Sequence, residues 1–148
     1  MQKRDFNISF LVNQSPENIF KAITNVRAWW SEDLKGNSEL LNDEFIYQHG
    51  EFHYSKHKLI EVNQFTKIVW LTLDSKLTFV KKNDEWNESR LIFEITEVED
   101  KTKLNITHVG LTPHLECYEA CSKAWTHYLM NSLIPLIKTG KGQPDLKK

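Results

Sequence analysis

Apolar side chains occupy every second position at Phe6, Ile8, Phe10 and Val12, the period of a strand with one buried face. Ser15-Pro16-Glu17 follows with a capping hydroxyl, a proline suited to the first helical position and an acid for the first turn. Ile19, Phe20 and Ile23 share one side of the helix this predicts, which ends near Asn25, with Val26 to Trp30 as a second short helical turn. Ser31 to Asp43 is polar, holds Lys35-Gly36-Asn37 and reads mostly as loop. From Glu44 to Gly110 the pattern is all strand. Glu44 to His49, Phe52 to Val62, Lys67 to Asp74, Leu77 to Lys81, Arg90 to Glu99 and Lys103 to Gly110 are rich in β-branched and aromatic residues. The turn-prone pairs Asn63-Gln64, Asp74-Ser75, Asn83-Asp84 and Asp100-Lys101 lie between them. Connections this short predict an antiparallel meander.

The last element is long. Between His114 and Lys138, residues Tyr118, Cys121, Trp125, Leu129, Ser132 and Leu136 recur at steps of three and four, the stripe of an amphipathic helix. Gly140 is placed to cap it. Pro135 cannot bond the Asn131 carbonyl, so a kink is expected there. Residues 1–140 read as one domain and 141–148 as a flexible tail. A single helix laid across a curved antiparallel sheet leaves space between the two, and apolar cavities are common ligand sites.

The order of these elements is specific enough to compare. Ser15-Pro16-Glu17-Asn18-Ile19-Phe20-Lys21-Ala22-Ile23-Thr24, followed by Trp29-Trp30, resembles the opening of START-like (SRPBCC) domains. Lys58-Leu59-Ile60-Glu61-Val62 before Ile68-Val69-Trp70, Leu104 to Leu111, and Trp125-Thr126-His127-Tyr128-Leu129 leading to Thr139-Gly140-Lys141-Gly142-Gln143-Pro144 extend the likeness over nearly the whole chain. Within that superfamily the sequence is most similar to the homologues of the activator of the ninety-kilodalton heat-shock protein's ATPase. The resemblance implies an α+β helix-grip fold: a seven-stranded antiparallel sheet wrapped around a long C-terminal helix, with a cavity between them. It also implies a small apolar ligand such as a lipid or polyketide, or else cyclase chemistry. A protein partner, whether a chaperone or a second copy of the chain, is its further implication. The separate chaperone-contacting domain of the eukaryotic co-chaperone has no counterpart in these 148 residues.

Composition narrows the classes. Nineteen Lys and Arg against 20 Asp and Glu leave a net charge of -1, so no field exists to grip nucleic acid or an anionic membrane. No apolar run reaches membrane-span length and no signal-peptide core is present. Two cysteines are too few for a secreted disulfide scaffold. A cytoplasmic protein is expected.

Candidate chemistry is sparse. His108 shares parity with Leu104 and Ile106 and points toward the helix, either as a polar handle for a ligand or as a core histidine held by internal partners. Trp125 and Tyr128 lie one turn apart on the long helix and offer an N–H and an O–H. Trp29 and Trp30 are adjacent, so one is expected to pack inside and the other to cover the cavity mouth. Trp70 joins them as a candidate ligand contact, and so does Trp86, which stands alone in a polar loop as a lid, a partner contact or a ring folded back. His49, His53 and His57 recur every four residues, but four strand residues span about 13 Å, too far for one metal. His114, Cys117 and Cys121 could ligate zinc from one helix face, although small buried thiols are the commoner outcome. Glu44, Glu61, Glu94, Glu116 and Glu119 are the carboxylates that could supply a base. No catalytic signature, cofactor motif or metal set emerges. The expected function is non-enzymatic carriage or sensing of a small apolar molecule. The alternatives are a cyclase or dehydratase using the same cavity, or an interaction module that stimulates a chaperone ATPase.

Overall fold

A computed structural model describes residues 5–51, 53–78, 81, 86–113 and 115–145. Period-two alternation becomes β1 (Phe6–Val12), and Ser15 caps α1 (Pro16–Thr24), its hydroxyl accepting from the Asn18 N–H at 3.2 Å. A single 3-10 turn, Val26–Ala28, ends at the two tryptophans. Five further strands carry the meander: β3 (Glu44–His49), β4 (His53–Asn63), β5 (Lys67–Leu77), β6 (Arg90–Val98) and β7 (Lys101–Val109). A two-residue edge strand, β2 (Lys35–Gly36), pairs with β3 inside the stretch expected as loop. Sheet order is β1-β7-β6-β5-β4-β3-β2, every pair antiparallel, so only β1 makes a long-range closure, against β7.

Two strands were expected where one runs. Asp74-Ser75 is not a turn: β5 continues to Leu77 because β4 pairs with it along its whole length. Register slips there, with His57 opposite Thr72 but Lys56 opposite Asp74, so Leu73 is an extra residue that resets which side chains face inward. Phe52, residues 79–80 and Asn83-Asp84 lie outside the described residues, as does His114. The long helix starts at Tyr118 rather than near His114. It runs as α2 (Tyr118–Tyr128), a π-helical segment (Leu129–Leu133) and α3 (Ile134–Thr139), capped by Gly140 at φ 86°. Before Pro135, where a kink is expected, the hydrogen-bond ladder widens by one residue, which absorbs the missing proline N–H.

Against the sheet the helix lays Cys121, Trp125, Leu129, Leu133, Ile134 and Ile137, which join the buried residues of every long strand in one core. This is the helix-grip arrangement, α+β. No helix of the described residues is long and apolar enough to cross a membrane.

Residues 141–145 depart from the expectation of a loose tail. Gln143 N–H donates to the buried Ser132 hydroxyl at 2.7 Å, and that hydroxyl donates to the Trp29 carbonyl at 2.6 Å. Asp145 N–H donates to the Trp30 carbonyl, while its own carbonyl accepts from the Glu32 N–H, each at 2.9 Å. Polar backbone next to a buried aromatic turn needs such partners, and the tail supplies them.

Candidate functional site

A cavity of about 220 Å³ lies between sheet and helix. One wall is helical: Ala120, Cys121, Ala124, Trp125 and Tyr128 recur at three- and four-residue steps on α2. Tyr47 and His49 reach it from β3, His53 from β4, Trp86 from the connection between β5 and β6, and Trp30 from the turn after α1. Five aromatic rings therefore enclose a space to which the small residues Ala120 and Ala124 leave room.

Its outer end is polar. The Asp145 carboxylate accepts from the Tyr128 hydroxyl at 2.7 Å and the Tyr47 hydroxyl at 3.0 Å, and the two hydroxyls stand 3.2 Å apart. His49 Nδ1 lies 3.3 Å from the same carboxylate oxygen. Burial raises both phenols, and the neighbouring carboxylate adds to it. Tyr128 is pushed up to about 12 and Tyr47 further. Both stay protonated donors at any physiological pH.

Behind the inner wall runs a chain of neutral histidines joined by hydroxyls. Trp125 Nε1–H donates to His108 Nδ1 at 3.0 Å, which puts the imidazole proton on Nε2. His108 Nε2 then donates to Ser89 Oγ at 2.9 Å, and Ser89 donates to the Trp86 carbonyl at 2.6 Å. Thr72 Oγ1 lies 3.4 Å from Ser89 Oγ and 3.1 Å from His57 Nδ1. Ser55 Oγ lies between His57 Nε2, at 2.8 Å, and His53 Nε2, at 3.1 Å. Desolvation drives all three imidazoles down: His53 and His108 to about 3, His57 well below its ordinary value. Strand register builds the chain, since His57 faces Thr72 across β4–β5 and Leu91 faces His108 across β6–β7. Gly110, at φ 102°, follows β7, and a Cβ there would stand 3.1 Å from that of Ser89.

The expected residues divide into two groups. Trp30, Trp86, Trp125 and Tyr128 meet at the cavity. His108, Trp29 and Trp70 lie in the core behind it, 1%, 0% and 1% exposed. His108 is thus a core histidine held by a serine and a tryptophan. Trp29 and Trp30 do not divide inside from outside. Both are buried and stacked 6.1 Å apart, because the chain leaves the 3-10 turn without a strand's alternation. Trp30 in turn stacks on Tyr47 at 4.1 Å, and Trp29 meets Phe93 edge-on. Trp86 folds back, stacked on Trp125 at 5.7 Å and only 3% exposed. Among the described residues, therefore, neither Trp86 nor Trp30 contributes to an exposed patch.

His49, His53 and His57 do not share one strand. A turn separates His49 from His53, which face each other across β3–β4 instead of standing four residues apart on one strand. Among the described residues no group of three His, Cys, Asp or Glu could hold a metal. Cys117 and Cys121 are both buried, and Cys121 lines the cavity. None of the five glutamates considered lines it; the carboxylate at its mouth is Asp145. Tyr47, His53, Ser55, His57, Thr72, Ser89 and Asp145 were not anticipated as site residues. Counting inward from Leu59 by twos would have reached His57, Ser55 and His53.

The family described as "Activator of Hsp90 ATPase homolog 1-like protein" matches residues 13–137. No curated protein matches the sequence. Among solved structures, the Aha1 dimer from Colwellia psychrerythraea is similar with a TM-score of 0.75 at 19% identity, over 94% of this chain and 99% of that one. Protein MLL2253 from Mesorhizobium loti is similar at 0.72 and 14% identity, over 92% and 98%. CalU16 from Micromonospora echinospora is similar at 0.65 and 14% identity, over 93% and 77%. At these identities the likeness is one of fold.

Proposed function

The chain belongs to the family of Activator of Hsp90 ATPase homolog 1-like proteins, and from that premise we propose that it binds a small, flat, largely apolar molecule between sheet and helix, as a carrier or sensor rather than an enzyme. The observation that carries this reading is the cavity walled by Trp30, Tyr47, Trp86, Trp125 and Tyr128. Ligand surface buried against such rings supplies affinity at about 25 cal/mol per Å². About 220 Å³ exceeds the roughly 150 Å³ that accommodates benzene in an engineered cavity. It suits one or two fused rings and is too small for a sterol or a phospholipid.

Burial of two ionisable groups of the wall favours binding over turnover. Acid–base catalysis works best with a group poised near neutral pH. Here burial drives His53 to about 3 and Tyr128 to about 12, so neither exchanges protons readily at pH 7. Native mass spectrometry of freshly purified protein, with organic extraction, tests the reading. A discrete extra mass of one- or two-ring size is expected, and it should disappear in Ala124→Trp, which fills the cavity. A bare chain that also ignores a panel of such compounds in thermal-shift assays would remove the proposal.

The Colwellia protein is described as a dimer, and a second copy is the partner proposed for this chain too. Light scattering should then give twice 17.5 kDa, and a monomer across micromolar concentrations would rule it out.

A further inference from the structure

Among the described residues one buried side-chain nitrogen or oxygen has no hydrogen-bond partner: Nε1 of Trp86. Trp86 is 3% exposed and its ring forms part of the cavity wall. Two other buried indoles have partners inside the protein. Trp125, stacked on it, donates to His108, and Trp29 donates to the Ile23 carbonyl at 3.2 Å. Buried donors without partners are rare in native proteins and call for an explanation.

Resting on the ligand-binding reading above, we propose that this N–H is a ligand contact: it donates to an uncharged oxygen acceptor, a carbonyl or aryl-ether oxygen, on a one- or two-ring aromatic molecule. Indole nitrogen donates and cannot accept, so an amine or ammonium would leave it as unpaired as before. A carboxylate is excluded by charge. Among the described residues no lysine or arginine lines the cavity, burial holds His53, His57 and His108 neutral, and His49, which also lines it, already faces the Asp145 carboxylate at the mouth, 3.3 Å away. A buried anion without a compensating cation is strongly disfavoured. His53 meets the Trp86 ring edge-on at 4.6 Å and also lines the cavity. With its Nε2 engaged by Ser55, its position beside Trp86 is fixed, which holds the indole where a ligand must meet it.

Calorimetric titration of the full chain with 1-tetralone, tetralin and 1-naphthoate tests this. These probes share a two-ring body and differ in carrying a carbonyl, no oxygen or a carboxylate. Expected is tetralone bound about tenfold tighter than tetralin, the worth of one well-made hydrogen bond in a dry site, and naphthoate bound more weakly than either. Trp86→Phe keeps a ring but not the N–H, so it should abolish the tenfold preference for tetralone over tetralin, whatever the smaller ring costs both. Equal affinities for tetralone and tetralin would overturn the acceptor inference while leaving the cavity reading intact. Binding of neither would overturn both. If Trp86→Phe fails to fold, the wild-type indole ¹H–¹⁵N spectrum decides. One of the five tryptophan resonances should move with tetralone and stay with tetralin, and five resonances responding alike to both would overturn the inference.

Discussion

Trp125 and Trp86 stack on each other, yet their N–H groups do opposite work. That of Trp125 is spent inside the protein on His108 Nδ1, while that of Trp86 has no partner among the described residues. Trp125→Phe strands a buried acceptor, so it should cost about 1–3 kcal/mol in urea denaturation. A change below about 0.5 kcal/mol would mean the indole–imidazole bond contributes nothing. The histidine chain sets a pH dependence whose sign follows from burial. Below pH 6.5 the unfolded chain takes up a proton on each imidazole, while folded His108 refuses one until about 3 and folded His57 also holds out far below its ordinary value. Stability is therefore complete above about pH 6.5 and declines as the pH falls. Between pH 7 and pH 5 His108 alone should remove about 2 kcal/mol, and His53 and His57 add to it in the same direction. His108→Asn should be less stable at neutral pH but lose that residue's share of the decline, about 2 kcal/mol. An unchanged slope would assign the proton uptake elsewhere.

Among the elements, the π segment and the tail that packs on it have the most specific requirements. Widening the helix at Leu129–Leu133 accommodates Pro135 and places Ser132 where its hydroxyl bridges the Trp29 carbonyl and the Gln143 N–H. Gly142 makes the crossing possible, since a Cβ there would stand 2.4 Å from the Ala28 carbonyl oxygen and 3.0 Å from that of Ser132. Both are backbone atoms with no easy retreat. Gly142→Ala should thus lift the tail, lose about 1–3 kcal/mol as overpacking does, and open the segment up to Asp145 to carboxypeptidase. Retained protection would show that the helix yields instead. Because the tail carries Asp145 to the mouth, Asp145→Asn should also lower the Tyr128 phenol from about 12, though burial, its larger cause, keeps it above the ordinary 10. Ultraviolet titration reads this directly.

Over the whole molecule, the pattern of the chain spoke plainly about the fold and only partly about the site. Strand alternation, one capped helix and short turns leave few topologies, and the sheet order follows from them. Asp74-Ser75 misled because a turn-prone pair is tolerated inside a strand where a bulge absorbs it and a long neighbour pairs on either side. Four of the five rings of the aromatic wall were legible, since Trp30, Trp86, Trp125 and Tyr128 stand out as large residues at telling positions. The rest was not. Asp145 sits in a segment with no periodicity, and the links between His53, His57 and His108 depend on register across four strands, which no local pattern encodes. What those distant residues jointly determine is the size of the space they leave, and size is a property that can be tested. A ligand at a hundred times its Kd stabilises the folded state by about 2.7 kcal/mol, which for a chain of this length raises Tm by about 5–10 °C. Tetralin should give such a shift and cholesterol none, because rings 4.1 to 5.7 Å apart around the cavity are already stacked on one another and cannot part without breaking the core. An equal shift with cholesterol would mean that the helix lifts from the sheet on binding, and the size argument would fall with that result.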